Sequence, residues 1–193
     1  MPVDKVDRRV RYTKQALRES MIKLIKVKPI EKISVKELCE LADINRSTFY
    51  VHYDSPTDLL DQIKSELLVS LNEYLEEYNF FKEYEEASLQ KVTMIFEYVI
   101  ENAELCQILL GGSGDVSLQK TVMTIVQKHG IRAWRTAHAD VDPVAVEYML
   151  AFGINGGIGV LQKWLDEGLV KSAREIAEMV ISFTFSGLSS IVV

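Results

Sequence analysis

The chain has 193 residues, 48% hydrophobic and 26% charged, with 10 Gly, 4 Pro and a formal net charge of −6. That composition supports the buried core of one large or two small domains and excludes disorder, collagen-like repeats and a disulfide-stapled mini-scaffold. Cys39 and Cys106 are the only cysteines and neither has metal-ligand spacing around it, so both read as thiols of a reducing compartment.

The expected elements are helical throughout, because apolar residues recur at the 3.6-residue period and no alternation is long enough for a strand. The N-terminal MPVDKVDRRV is charged and lacks the apolar stretch of a signal peptide. Ala16, Leu17, Met21, Leu24 and Ile25 share one face of a first helix over 10–27, which Lys28-Pro29 ends. Ser34 then precedes Val35, Leu38, Cys39 and Ala42, with Glu37 at the third helical position, the pattern of a short helix opened by a capping box. Asp43-Ile44 breaks it. Asn45 caps another short helix that carries Phe49 and Tyr53 inward and ends near Asp54.

Ser55-Pro56-Thr57-Asp58 is the clearest helix start in the chain, with serine as N-cap, proline in the first helical position and an acid in the third. The helix it opens, over 58–79, carries Leu59, Leu60, Ile63, Leu67, Leu71, Tyr74, Leu75 and Tyr78 on one face. Further helices are expected over 86–101, 103–110, 116–138, 143–168 and 173–192, with breaks at Gly111–Asp115, Asp140–Pro143 and Gly168. Ser172–Glu175 forms a second capping box. The longest uncharged runs, Tyr148–Gln162 and Met179–Val193, have 15 residues each, short of the ~20 apolar residues a membrane span needs. The fold class is therefore all-α with about nine helices, and the expected setting is soluble and cytoplasmic, away from membranes.

Residues 34–53, SVKELCELADINRSTFYVHY, have the spacing of a helix-turn-helix. The second helix begins Asn45-Arg46-Ser47-Thr48, small polar and basic groups at the end that meets base edges in such motifs, while Phe49 packs it back onto the preceding helices. Ser34 offers a hydroxyl, and the helix it opens offers backbone N–H groups, to a phosphate. The charge is uneven in a compatible way. Residues 1–53 carry 12 Lys and Arg against 7 Asp and Glu, whereas the remaining 140 carry 10 against 21. A basic head on an acidic body suits polyanion binding by the head alone, and an ordinary uneven surface would read the same by charge.

The stretch KISVKELCELADINRSTFYVHYDSPTDLL resembles the signature of the TetR/AcrR family of one-component bacterial transcriptional regulators. The matching features are the capped Ser34-Val35 start, Leu38, Ala42, Ile44, Thr48-Phe49-Tyr50, His52-Tyr53 and Asp58-Leu59-Leu60, within a likeness spanning 11–60. The tail, with Glu101-Asn102, Leu109-Leu110-Gly111, Gly114-Asp115 and Trp164–Gly168, is similar to a C-terminal type common in Gram-positive members. The resemblance implies that Ser34, Arg46, Ser47, Thr48, Tyr50, Val51 and His52 contact DNA. Arg46 and Ser47 fall to base edges, Ser34, Thr48 and His52 to phosphates, and Tyr50 to either. His52 also reads as a partly buried ring bonded to nearby backbone. Two positions depart from the family pattern: Asp43 stands for the turn glycine, and Pro56 for a lysine opening the fourth helix. Losing that lysine's phosphate contact flattens the salt dependence of binding by about one unit.

Other signals are weaker. His129 and His138 have no carboxylate at ligand spacing, so no metal and no cofactor is expected. Gly153–Gly159 follows no strand and fails the dinucleotide pattern, and Gly111–Asp115 lacks the Gly-Lys-Ser/Thr of a phosphate loop. The glycines at 153, 156, 157 and 159 instead suit close approach of another helix. No catalytic triad emerges, and Cys106 sits among apolar residues, which argues against a redox sensor. The chain is not read as an enzyme.

The sequence thus suggests a helix-turn-helix DNA-binding domain over 1–57 and a helical effector-binding and dimerisation domain over 58–193. The resemblance implies a homodimer through the last two helices, a near-palindromic double-stranded DNA operator, and repression released by a small-molecule effector. The alternative is an activator or co-regulator whose body binds a partner protein. Tyr74, Tyr78, Phe96, Trp134, Tyr148 and Phe152 are the residues expected to line an effector pocket, with plain core as the competing reading for each. Glu97, Glu101 and Glu104 suit either a cationic effector or a solvated face.

Overall fold

A computed structural model describes residues 3–77, 85–111, 114–137 and 143–185. Among these, nine α-helices and one short 3-10 turn account for all regular structure: α1 (Val3–Ile25), the turn Ile30–Lys32, α2 (Val35–Ala42), α3 (Arg46–His52), α4 (Pro56–Glu77), α5 (Glu85–Glu101), α6 (Ala103–Leu110), α7 (Val116–Ala137), α8 (Pro143–Asp166) and α9 (Ala173–Phe185). The fold is all-α, as its sequence pattern predicts.

The chain forms two compact units, Met1–Leu67 and Leu68–Val193, so the division falls inside α4 rather than at its start. The reason is burial. Leu59, Leu60, Ile63 and Leu67 on the first half of α4 are all buried, and this stretch belongs to the N-terminal unit. In the same unit Leu17, Ser20 and Met21 bury one stripe of α1, and α1 packs on α2 through Leu38, Cys39 and Ala42. The first helix begins at Val3, seven residues before the apolar pattern suggests, because its first turns carry charged good helix formers and leave no periodic signal. It stops at Ile25, where Val27 and Lys28 N–H groups both bond the Leu24 carbonyl.

Every cap read from the sequence is in place. The Ser34 hydroxyl accepts from Glu37 N–H at 3.3 Å, while the Glu37 carboxylate takes the Ser34 N–H at 3.0 Å. Asp43 adopts the left-handed conformation (φ 53°, ψ 48°) and ends α2 in place of a glycine. Asp58 N–H donates to Ser55 Oγ at 3.1 Å, and Asp58 reaches back to Asp54 N–H at 2.9 Å. The third helix ends at His52, slightly short of Asp54.

In the second unit α5 packs on α9, and α8 on both α7 and α9. Its core centres on Trp164, which is 2% exposed. The ring stands edge-on to Phe96 with centroids 5.5 Å apart, and its Nε1 donates to the Lys171 carbonyl at 3.0 Å. That carbonyl lies beyond the break at Gly168, where φ of +77° and a bond from Leu169 N–H to Trp164 O reverse the chain. The Ser172–Glu175 box then starts α9. The end of the last expected helix, 186–192, lies outside the described residues, as do Tyr78 and His138. Among the described residues, no helix is long and apolar enough to cross a membrane.

Candidate nucleic-acid interface and effector cavity

The short helix α3 is held by its apolar side and presents the other. Phe49 is fully buried, with the Tyr53 ring 5.7 Å away and the Tyr50 ring edge-on at 5.5 Å. One turn of helix therefore fixes the direction of every neighbour. Arg46, Ser47, Tyr50 and Val51 are exposed, and Thr48 and His52 half-buried. Tyr50 and Val51 keep 59% and 75% of their surface in solvent and are free of the core that holds Phe49.

Asn45 sets the start of this surface. Its Oδ1 accepts from Ser47 N–H at 3.0 Å and from Ser47 Oγ at 3.1 Å. The Ser34 hydroxyl is similarly engaged, donating to Glu37 Oε2 at 2.7 Å. A phosphate at α2 would thus meet first-turn amides such as those of Val35 and Lys36 more readily than the Ser34 hydroxyl. Glu37 also bonds Lys28. That bond and the Ser34 contacts pull its carboxyl down to about 2. Lys28, in the segment after α1, is therefore tied to the first turn of α2. Pro56 occupies the first helical position of α4, where it offers no cation.

The second site is a cavity of about 230 Å³ inside the C-terminal unit, walled by α4, α5, α7, α8 and α9. Among the described residues, Leu, Ile, Val, Phe and Gly supply the wall together with His129 and Thr184. Among the described residues, no Lys, Arg, Asp or Glu side chain lines it. Glu97, Glu101 and Glu104 are exposed, so they belong to the solvated face. His129 Nε2 lies 3.0 Å from Asn72 Oδ1. Burial holds the imidazole below its ordinary pKa, opposed by Glu76 and assisted by Lys128 and Arg132.

Of the aromatic residues expected around a pocket, Phe96 lines this cavity. Tyr74 packs against Tyr98 instead, with ring centroids 5.4 Å apart. Tyr148 and Phe152 are 76% and 71% exposed on α8, away from the cavity wall. Tyr78 and the Trp134 side chain lie outside the described set. Sequence reasoning missed His129 and the valines of α5 and α7, because aromatic bulk fills space whereas smaller residues leave it. The available signal was the helical spacing of Val122, Val126 and Gly130 on α7 and of Gly153 and Gly157 on α8.

The glycines of α8 divide by role. A Cβ at Gly153 would lie 2.7 Å from Thr184 Cγ2, so α8 and α9 approach closely there within one chain. At Gly156 and Gly159 a Cβ would meet nothing within 4 Å. Both cysteines are buried thiols, and burial pushes the Cys39 thiol up. Among the described residues no group of three or more His, Cys, Asp or Glu side chains is placed to hold a metal.

Residues 86–186 match the family model described as "Transcriptional regulator C-terminal region", TetR_C_8. The chain belongs to the TetR family of transcriptional regulators. Solved structures similar to this regulator share the fold at low identity. The TetR transcriptional regulator from Streptococcus agalactiae is 21% identical with a TM-score of 0.61, the match covering 92% of this chain and 96% of that one. The fatty acid degradation regulator FadR from Bacillus halodurans is 12% identical with a TM-score of 0.69, covering 91% and 96%. FadR from Bacillus subtilis, in complex with stearoyl-CoA, is 14% identical with a TM-score of 0.61, covering 90% and 98%. No curated protein sequence matches the regulator significantly.

Proposed function

We propose that this regulator is a cytoplasmic repressor that binds a near-palindromic operator as a homodimer and leaves it when a small molecule enters the body. The observation that carries the DNA half is α3, pinned by Phe49 on one side and exposing Arg46, Ser47, Tyr50 and Val51 on the other. Arg46 is the base reader, since a guanidinium can bond both acceptors on a guanine edge. Ser47 and Tyr50 accompany it. Thr48 and His52 take phosphates, and the backbone amides behind Ser34 take another. No enzymatic step is part of this reading.

The dimer reading rests on the outer face of α8. Val144, Tyr148 and Phe152 are exposed there, and Gly156 and Gly159 continue the same stripe one and two turns on. Such a stripe pairs with its own copy about a two-fold axis, together with α9. Two recognition helices then stand about one DNA turn apart, ~34 Å. The apolar cavity supports a small-molecule effector, and FadR of Bacillus subtilis, which shares the fold, was solved with stearoyl-CoA. A protein partner for the body is the second reading, supported by the same exposed Tyr148 and Phe152.

The test is an anisotropy titration against the DNA flanking the coding gene at two salt concentrations, with Arg46→Ala beside the unaltered protein. Tight, salt-sensitive binding that Arg46→Ala abolishes is the expected result. Equal binding by both proteins, or no binding above that to random DNA, overturns the proposal.

A further inference from the structure

We infer that the cavity of the C-terminal unit takes a compact, uncharged, mostly hydrocarbon molecule of about nine non-hydrogen atoms whose single hydrogen-bond donor seats on His129. This rests on reading the cavity as the effector site.

Size is the first argument. An apolar cavity of about 150 Å³ accommodates benzene, so the 230 Å³ here corresponds to roughly nine heavy atoms. The volume lies below the ~300–1,000 Å³ usual for drug-sized ligands, so the part of a ligand buried in it is small.

Charge is the second. Among the described wall residues His129 is the one ionisable group, and burial disfavours its charged form, so a buried carboxylate or ammonium on the ligand meets no counter-charge from them.

Hydrogen-bond direction is the third. The Asn72 amide oxygen accepts from His129, which puts the ring proton on Nε2 and leaves Nδ1 as an acceptor. Thr184 donates its hydroxyl proton to the Val180 carbonyl at 2.7 Å, so its oxygen likewise has only lone pairs to offer. Both polar side chains among the described wall residues therefore accept, and the other described side chains there are hydrocarbon. A hydroxyl or an N–H is satisfied there, whereas an ether, an ester or an ionised acid brings only acceptors to acceptors.

Calorimetric titration of the full chain with straight-chain alcohols of four to sixteen carbons tests the size. 1-Methoxyheptane, octanoate and octylammonium, each close to 1-octanol in size, test the chemistry. Affinity is expected to peak near 1-octanol, with about tenfold weaker binding of the ether, as one lost hydrogen bond implies. The two ions are expected to bind more weakly still. In His129→Leu the preference for alcohol over ether collapses while ether binding persists. Gly157→Ala, whose added Cβ meets only Val180 Cγ1 at 3.6 Å, keeps the preference and shortens the best alcohol.

Tightest binding by an ion or a sixteen-carbon alcohol overturns the inference. So does a preference unchanged in His129→Leu, or no binding by any probe. Anisotropy with DNA separates the two readings. Alcohol binding that leaves a DNA complex intact removes the effector role and keeps the ligand class, and release by a charged probe does the reverse.

Discussion

Gly153 on α8 lies directly beneath Thr184 of α9: a Cβ on the glycine would sit 2.7 Å from the threonine Cγ2 and 3.1 Å from its Oγ1. Thr184 has little room to yield, being branched at Cβ and tethered by its hydroxyl to the Val180 carbonyl. Gly153→Ala is therefore expected to push the two helices apart and cost about 1–3 kcal/mol, the usual penalty of overpacking. Urea denaturation measures it.

Gly156 behaves in the opposite way within a single chain. Nothing lies within 4 Å of its missing Cβ, so alanine there gains about 0.5–1 kcal/mol of helix stability. A bulky substitution then isolates the proposed pairing of copies. Gly156→Leu should keep its helical circular dichroism and shift the sedimentation of the protein from dimer to monomer. An unchanged dimer would move the interface elsewhere.

The recognition helix gives a contrast between fold and contact. Phe49→Ala removes a fully buried ring and should cost about 3–5 kcal/mol, unfolding the head and abolishing DNA binding with it. Tyr50 is 59% exposed, so Tyr50→Ala should leave the melting temperature nearly unchanged while weakening DNA binding. Parallel melting and anisotropy curves distinguish the two.

Pro56 predicts a change in salt response. Replacing it with lysine restores a cation at the start of α4, and the slope of log affinity against log salt should steepen by about one unit. An unchanged slope would mean that position 56 faces no phosphate.

Glu37 carries a pH dependence whose sign follows from its lowered pKa of about 2, set first by Lys28 and then by Ser34. A depressed carboxyl stabilises the fold above its ordinary pKa of 4.5, and that contribution disappears as pH falls from there toward 2. Acid unfolding of Glu37→Gln should accordingly lose steepness in this window relative to the unaltered chain. Identical acid curves would show that the Lys28–Glu37–Ser34 cluster contributes nothing.

How much of this was visible in the sequence depends on the range of the interaction. Ser34 with Glu37, Ser172 with Glu175 and Ser55 with Asp58 are three residues apart, and each pair can be read directly as a cap. The left-handed Asp43 follows from the turn between two short helices. The unit boundary inside α4 does not, since the helix pattern continues unbroken through Leu67 and Leu71. The cavity is harder still. It is a space left among five helices, and side-chain size in one helix says little about what stands opposite. Tyr148 and Phe152 show this: their bulk suggests a lining, and the structure turns them to solvent.

Trp164 has a practical consequence. It is one of two tryptophans in the chain, wholly shielded, and its indole lies edge-on to Phe96, which lines the cavity. With Trp134 replaced by phenylalanine, ultraviolet emission would come from Trp164 alone. Filling the cavity would then be visible as a change in the intensity of that emission, giving an intrinsic optical signal of occupancy without any attached dye.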